Sequence, residues 1–524
     1  MAPKLTMFLA WQLSAASFAQ SLDPTFGTNG TVQHDNGGSE RLFAAAIQPD
    51  GRIVACGLRD SSGIGHLLVC RFQSDGTFDN SFGGGGYVML PTGTQSSDAS
   101  MILVQPDGRI LVAGKTTETD GYTQFMVRRL LSNGTVDSGF GTDGVWTHSV
   151  GPLGGYITDL AMDDFGRIIV AGMIIPANAL GAFAVTRLDS NGNLDSSFGN
   201  NGFFLRDEST QAITNYFSDM ELLPDGRILL AGNVGDLSTG PSWNTDVLCI
   251  RLQADGQLDG NFGTGGERVI DLQGLQDGTN RMRILANGEL ELFGTSGNNT
   301  TINLVNRCRL TADGEVLSTD FISVSGWAPM QQTKQITGIE PGPGEVMAYI
   351  GTVPNGGTAD GFLGFLEPVS LNGLPYQVGY NTTVDAGDWT TFGSGVFDAT
   401  GRLLLVGLTT NPEWIGQFPS ACGVFTDLYM ARFNMPLSTG VSTVSAPEMD
   451  VWPIPTTDLL NVGCPECHVD RMRLVDSSGR EVWSQRRRTT GTTVIDLRTF
   501  SAGLYVLIAE SGSTTTTHRV MVDH

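Results

Sequence analysis

Six arginines hold one fixed place in a recurring pattern: Arg71, Arg129, Arg187, Arg251, Arg309 and Arg432. A ring of guanidinium groups could grip phosphate, sulfate or carboxylate, because each offers a planar fork of donors. One per repeat at the same strand position is better accounted for by a turn carboxylate or backbone carbonyls of the neighbouring repeat. The other chemistry-bearing residues are scattered. His34, His66, His148, His468, His518 and His524 show no ligand spacing. Cys464-Pro465-Glu466-Cys467, with His468, offers three zinc donors where a closed structural site takes four. The stretch reads as a strand-connecting turn, with a local disulfide as an option. Cys56 and Cys70 fall on strands expected to be neighbours, so a bridge is open to them; two small buried apolar side chains are the plainer account. The sequence contains no HExxH, no GxSxG elbow, no phosphate-cradling glycine loop and no EF-hand loop. Asp and Asn crowd the turns, as at Asp75-Gly76 and Asp255-Gly256, where turn chemistry accounts for them without a cation. The expectation is no catalytic set, no cofactor and no metal.

The elements that carry these residues repeat. Gly51, Gly108, Gly166, Gly226, Gly288, Gly344 and Gly401 centre similar turns at intervals of roughly 60 residues, which means one supersecondary unit copied seven times. One copy begins at the hexamer Phe78-Asp79-Asn80-Ser81-Phe82-Gly83, whose pattern recurs at Leu22–Gly27, Val136–Gly141, Leu194–Gly199 and Leu258–Gly263. Short strands are expected at Gly86–Leu90, Ala99–Val104, Ile110–Gly114 and Phe125–Leu130. Pro106-Asp107-Gly108 and Ser132-Asn133-Gly134 make the turns, Pro presetting φ and Gly supplying the left-handed position. Four short antiparallel strands repeated radially make a β-propeller, here of seven blades. Copies five and six are worn: the sixth keeps Pro343-Gly344-Glu345 and Leu371-Asn372-Gly373 but has Leu374-Pro375-Tyr376 in place of the hexamer. The chain starts with a hexamer and an outer strand, Gly30–Gln33, and the seventh copy stops after a third strand, Tyr429–Phe433. The first strand can therefore complete the last blade and close the ring, which removes open sheet edges.

The pattern LDxxFG, then PDGRIxxAG, then a strand ending in Arg-Leu before an Asp/Asn-Gly turn resembles the delta-60 repeat family over residues 22 to 434, most closely in copies one to four. The resemblance implies a propeller and brings no activity with it. A small polar linker, 439–449, precedes a second module, 450–524. There Trp452-Pro453-Ile454-Pro455, Leu460-Asn461-Val462, the Asp476 to Arg480 hairpin, Ser501-Ala502-Gly503-Leu504-Tyr505 and a strand closing at Val522 follow one another. This order resembles the type A sorting domain of the type IX secretion system; Ile454 stands where that family usually has Asn. The resemblance implies a small Ig-like β-sandwich and contact with the type IX machinery. It further implies passage across the outer membrane of a Bacteroidota-like cell, then removal of the tail with surface attachment or release. Arg486-Arg487-Arg488 reads as a solvated hairpin edge.

Lys4, the apolar run Leu5–Ala16 and Ser17-Phe18-Ala19 before Gln20 read as an export leader over 1–19, too short for an anchor. The propeller is then expected over 20–438. A net charge of −24 over 524 residues argues against binding nucleic acid. Both glycine turns of a unit lie on one face of the disc, so the connections of variable length crowd the other, where binding evolves. Trp414 on Leu408–Asp427, Trp243 on Val234–Thr245, Tyr380 and Trp389 on Gly379–Thr391, and Tyr156 are the candidate ligand-binding aromatics, able to stack on sugars or anchor a protein. Packing of the loops is the rival account of them. Three functions compete: an exported binding or structural protein; a polysaccharide hydrolase or lyase using Asp207, Glu208, Asp388 or Glu413; and an envelope scaffold with a broad apolar patch.

Overall fold

In the computed structural model, residues 1–20, 36–37, 62–63, 91–95, 150, 176–180, 207–212, 237–244, 273–275, 299–300, 324–334, 343–346, 356–357, 369–375, 385–389, 411–425, 435–449, 453–458, 470, 477–480, 486–488, 499, 502, 512–513 and 523–524 lie outside the described residues. Every regular element among the rest is a β-strand. The chain forms two compact units, 1–436 and 437–524.

Unit one opens with β1 (Ser21–Leu22) and β2 (Thr31–His34). Sheets of four consecutive antiparallel strands follow: β3 (Ser39–Ile47), β4 (Ile53–Ser61), β5 (Ile64–Phe72) and β6 (Tyr87–Leu90), then β7 (Ser97–Val104), β8 (Ile110–Thr117), β9 (Thr123–Leu130) and β10 (Val145–His148). Next come β11 (Gly155–Met162), β12 (Ile168–Ile174), β13 (Ala182–Leu188) and β14 (Phe203–Arg206). β15 (Ile213–Leu222), β16 (Ile228–Asp236), β17 (Thr245–Leu252) and β18 (Glu267–Ile270) are joined to β19 (Gln276–Ile284), β20 (Leu290–Asn298), β21 (Thr301–Leu310) and β22 (Val316–Ser323) by one parallel pair, Thr245 with Gln276. β23 (Gln335–Pro341), β24 (Met347–Asn355), β25 (Thr358–Pro368) and β26 (Tyr376–Val384) follow. β27 (Thr390–Phe397), β28 (Leu403–Thr410) and β29 (Thr426–Asn434) make the last sheet, which β1 and β2 complete by pairing with β29, Leu22 opposite Phe433 and Val32 opposite Met430. The first strands of successive sheets lie against one another, β3 to β7, β11, β15, β19, β23 and β27, and β27 lies against β3. The fold is all-β and propeller-like.

Each first strand slips by one residue opposite a glycine of the second strand. In β7 the slip falls between Ala99 and Met101, opposite Gly114. A Cβ on Gly114 would sit 2.2 Å from the Asp98 carbonyl oxygen. The bulge therefore requires the glycine that ends the PDGRIxxAG pattern.

The hexamers and arginines form one clasp between sheets. Arg71 Nε donates to Asp79 Oδ2 at 2.8 Å, Arg71 Nη1 donates to the Ser132 carbonyl of the next repeat, and the guanidinium stacks over Phe82 at 4.7 Å. Arg129, Arg187 and Arg251 repeat it with Asp137, Asp195 and Asp259, with the carbonyls of Ser190, Ala254 and Ala312, and over Phe140, Phe198 and Phe262. Arg432 uses Asp23, the Ser74 carbonyl and Phe26, so the same clasp joins the two ends of the unit. The carbonyl comes from the neighbouring repeat, as expected. The main carboxylate comes instead from the hexamer of the arginine's own sheet, because the hexamer folds back beneath that strand (Asp79 N donates to Arg71 O at 2.9 Å). Each hexamer glycine donates its N–H to the next repeat's turn, as Gly83 does to Asn133 O at 2.9 Å. Each hexamer Phe is buried beneath the next turn glycine: a Cβ on Gly134, at φ +89°, would lie 3.0 Å from Phe82. Where the hexamer is missing the clasp changes. Arg309 turns to Glu289 and is about one-third exposed, and β22 starts directly after its turn.

Cys56 and Cys70 are free and buried. They are one register step apart across β4 and β5, Cys56 opposite Val69 and Ala55 opposite Cys70, so they enter different core clusters and cannot bridge. Burial raises both thiol pKa values, as for inert core cysteines.

In unit two, β30 (Asp450–Trp452), β31 (Leu459–Val469) and β34 (Thr489–Asp496) form one sheet. The strands β33 (Glu481–Gln485), β32 (Arg471–Asp476), β35 (Gly503–Ser511) and β36 (Thr514–Val522) form another. Leu460, Val462, Leu474, Ile495, Leu507 and Val520 from both sheets share one apolar cluster. Cys464 to His468 lie within the span of β31 rather than in a connecting turn; the strand absorbs them as a register shift between Cys464 and Val469. Arg486 to Arg488 fall outside the described residues.

Two substitutions test the clasp. Asp259→Ala leaves Arg251, 2% exposed, without its main charge partner, and should cost about 3–5 kcal/mol in urea unfolding. Asp313→Ala, removing an exposed carboxylate 3.5 Å from the same arginine, should stay within about 0.5 kcal/mol. Equal effects would refute Asp259 as the main partner of Arg251. Gly121→Ala, at φ +87° with open space around it, should cost about 1–2 kcal/mol from backbone strain alone. Gly134→Ala should add about 1–3 kcal/mol of overpacking against Phe82; matching losses would show that the ring does not constrain that glycine.

Candidate functional site

The three tryptophans expected to bind ligand, Trp243, Trp389 and Trp414, lie outside the described residues, as do Asp207, Glu208, Asp388 and Glu413. Tyr380 falls within β26 and not in the connection after it. The reason is local: without a hexamer the fourth strand runs longer, nine residues in β26 against four in β6. Tyr156 is the second residue of β11 and is exposed.

Tyr156 has an unexpected companion. It stands one residue before Ile157, which pairs with Gly172, and Tyr216 stands one residue before Phe217, which pairs with Gly232. The two phenols therefore occupy matching places on adjacent first strands, β11 and β15, and Tyr216 is exposed too. They are close enough that Tyr216, together with the larger effect of burial, raises the Tyr156 hydroxyl pKa. The same register position holds Arg41 in β3, exposed, and Asp98 in β7, 3.6 Å from Lys115. Burial raises Asp98, and the Lys115 ammonium opposes it. This end of the first strands is the one joined to the variable connections, so Arg41, Asp98, Tyr156 and Tyr216 form a polar and aromatic rim there. Register across the repeats was the sequence signal that would have found Tyr216.

Below the rim lies a charged network that carried no motif. Asp159 Oδ2 accepts the Met220 N–H at 2.8 Å, and Asp219 Oδ2 accepts the Met282 N–H at 2.6 Å. Asp219 Oδ1 accepts Arg281 Nη1 at 2.9 Å; Arg281 in turn donates Nε to Ile339 O at 3.1 Å and Nη2 to Glu340 Oε1 at 3.2 Å. Glu340 Oε1 accepts the Gly395 N–H at 3.3 Å. Every link runs from one first strand to the next, at the level of the bulges. Burial pushes Asp219 up to about 8 against the pull of Arg281, and pushes Glu221 up to about 7 with Asp159 adding to it. Burial also raises Asp159. Asp219 and Glu221 are thereby placed where a carboxyl can transfer protons. Asp159, Asp219 and Glu340 each give one oxygen to a backbone N–H of the next sheet, which makes them structural links.

Clefts of about 380, 450 and 460 Å³ open on the opposite face, at the junctions of the first and last sheets, the first and second, and the third and fourth. They are lined by the repeated turns and clasp arginines, such as Arg432, Arg71 and Arg187. They recur with the scaffold and mark no unique site.

Comparison with known proteins follows the same division. Residues 48–82, 105–140, 166–198 and 223–262 match the family described as "Domain of unknown function (DUF5122) beta-propeller", and 450–523 match the "Secretion system C-terminal sorting domain". No curated protein matches. Among solved structures, the polysaccharide lyase Uly1 shares 11% identity at a TM-score of 0.45, covering 76% of this chain and 91% of its own. An ulvan lyase of family PL25 shares 9% at 0.42, covering 78% and 99%. Sqt1 from Chaetomium thermophilum shares 10% at 0.36, covering 71% and 95%. Likeness of this degree assigns no chemistry. No helix among the described residues is long and apolar enough to cross a membrane. The chain carries DUF5122 β-propeller repeats followed by a secretion-system C-terminal sorting domain of the type IX kind, which indicates export to the cell surface or release.

Proposed function

We propose that this is an exported propeller of seven blades that binds a ligand through the face bearing its variable connections. In this reading residues 1–19 are a leader, 20–438 the propeller of delta-60 type, 439–449 a linker, and 450–524 an Ig-like β-sandwich that docks on the type IX machinery of a Bacteroidota-like cell. The pairing of β1 and β2 with β29 supports the ring, and the single core shared by two sheets supports the sandwich. The observation that carries the binding reading is the pair of exposed tyrosines, Tyr156 and Tyr216, on neighbouring first strands beside Arg41 and Asp98. Flat aromatic faces next to polar groups suit a sugar ring or a protein side chain. Asp159, Asp219 and Glu340 beneath are engaged in holding sheets together, which favours recognition over turnover.

The test is a binding screen of the full chain against glycans and polysaccharides, with Tyr156→Ala, Tyr216→Ala, Trp243→Ala and Trp414→Ala as variants. A ligand found in the screen should bind about tenfold more weakly to each tyrosine variant, the loss of about 1.4 kcal/mol typical of an aromatic contact. Unchanged affinity in all four variants would remove the site. Depolymerisation of a polysaccharide, abolished by Asp207→Asn or Glu413→Gln, would replace this reading with the hydrolase or lyase one.

A further inference from the structure

Two junctions between sheets bring three carboxylates together on the face of the variable connections, and they do so at equivalent positions. At the seam where the chain ends meet, these are Asp35, Glu40 and Asp427; between the fourth and fifth sheets they are Asp271, Asp277 and Asp246. Within each trio, one carboxylate oxygen per residue lies within 4.8 Å of the others. The registers match. Asp35 follows β2 and Asp271 follows β18; Asp427 and Asp246 are the second residues of β29 and β17; Glu40 and Asp277 are the second residues of β3 and β19. The backbone is held alike as well, since Thr426 Oγ1 donates to Glu40 O and Thr245 Oγ1 to Asp277 O, both at 3.0 Å.

The trios differ in what neutralises them. Across β3 and β4, Glu40 pairs with Arg59, which forms an ion pair with it at 3.2 Å, and Gln33 Nε2 donates to Asp427 at 2.9 Å. Across β19 and β20, Asp277 pairs with Ser296, a neutral residue whose hydroxyl already accepts Asn306 Nδ2 at 2.7 Å. The same register position is neutral on both strands elsewhere, Ser97 opposite Thr116 and Thr390 opposite Thr409. Asp277 is therefore a fully buried acid facing no basic partner. Its Oδ2 accepts the Leu272 N–H at 2.8 Å, and its Oδ1 has no hydrogen-bond partner. Burying such an oxygen among two further carboxylates, with only the nearby Ser296 hydroxyl to favour its charge, is costly. Burial, with Asp246 and Asp271 adding to it, pushes Asp277 up to about 6 although the Ser296 hydroxyl and the Leu272 N–H favour its charged form; burial and Asp271 raise Asp246.

We infer that Asp246, Asp271 and Asp277 form a binding site for one hard divalent cation, with calcium as the best fit. An all-oxygen set selects calcium or magnesium over softer metals. Calcium accepts six to eight oxygens in flexible geometry, whereas magnesium demands a near-ideal octahedron, so a set supplied by three separate chain segments suits calcium better. The ion takes the place that Arg59 fills at the seam. It also lies beside the parallel pair of Thr245 and Gln276 that joins the fourth and fifth sheets into one. Its role is to staple that junction on the face where the connections vary, and it stands independently of any ligand bound there.

The full chain, stripped with a chelator and returned to chelator-free buffer, should take up one calcium per chain in equilibrium dialysis, and its thermal midpoint should rise as calcium is added. Asp246→Asn, Asp271→Asn and Asp277→Asn should each weaken uptake at least tenfold. Without calcium, Asp277→Asn should melt no lower than the stripped parent, since it removes a buried charge without changing shape. If one variant fails to fold, the other two decide. No uptake by the parent at millimolar calcium, or uptake that survives all three substitutions, overturns the proposal. A loss of stability in Asp277→Asn with no response of the parent to calcium also overturns it, and leaves Asp277 a protonated structural acid.

Discussion

The clasp of arginine, hexamer aspartate and next-repeat carbonyl is the interaction on which unit one rests. Taking a guanidinium and a carboxylate out of water is expensive, and their attraction repays it only when geometry is good and the remaining donors are satisfied. Here the aspartate, a backbone carbonyl and a phenyl face together use most of the arginine's surface. The carbonyl belongs to another repeat, so a sheet satisfies the remaining guanidinium donors only by docking on its neighbour. The buried hexamer Phe and the turn glycine above it give that docking a shape. A repeat alone would be left with an unpaired donor and an uncovered ring.

That dependence explains why the pattern is so visible in the amino-acid sequence. Leu-Asp-x-x-Phe-Gly, the strand arginine and the Asn-Gly or Asp-Gly turn are three parts of one contact, and a change in any of them exposes the others. Turns were legible for the same kind of reason: Gly108 and Gly134 sit at φ +83° and +89°, which few other residues adopt. The inner network was not legible. Asp159, Asp219 and Arg281 occupy strands otherwise read as apolar, and their partners are backbone groups of other sheets, which leave no trace in a sequence. Tyr216 was hidden because its meaning is a register position shared with Tyr156, visible only once the bulge opposite each glycine aligns the strands. Tyr380 and Cys464 to His468 were placed in connections because their local residues suit turns; missing hexamers in one case and a register shift in the other extend the strand through them.

The two faces divide the work. On the glycine-turn face Arg71, Arg129, Arg187, Arg251 and Arg432 are committed to the clasp, which leaves the clefts there alike. On the other face sheets are joined more sparingly, by threonine hydroxyls such as Thr123 to Gly155 O at 2.7 Å and by backbone contacts at single points. Side chains such as Arg41, Asp98, Tyr156 and Tyr216 can therefore vary without loosening the assembly. The two acidic trios show what that freedom permits: one backbone frame, set once opposite an arginine and once opposite a serine.

The union of β1 and β2 with β29 bears on the order of events during synthesis and transport. Asp23 and Arg432 are 409 residues apart in the chain, and contacts so distant form slowly because a very long loop must first be closed. Asp23 must wait, without its guanidinium, until the stretch up to Arg432 has been made. A chain built this way stays incompletely locked for most of its passage and snaps shut only when its last sheet is delivered.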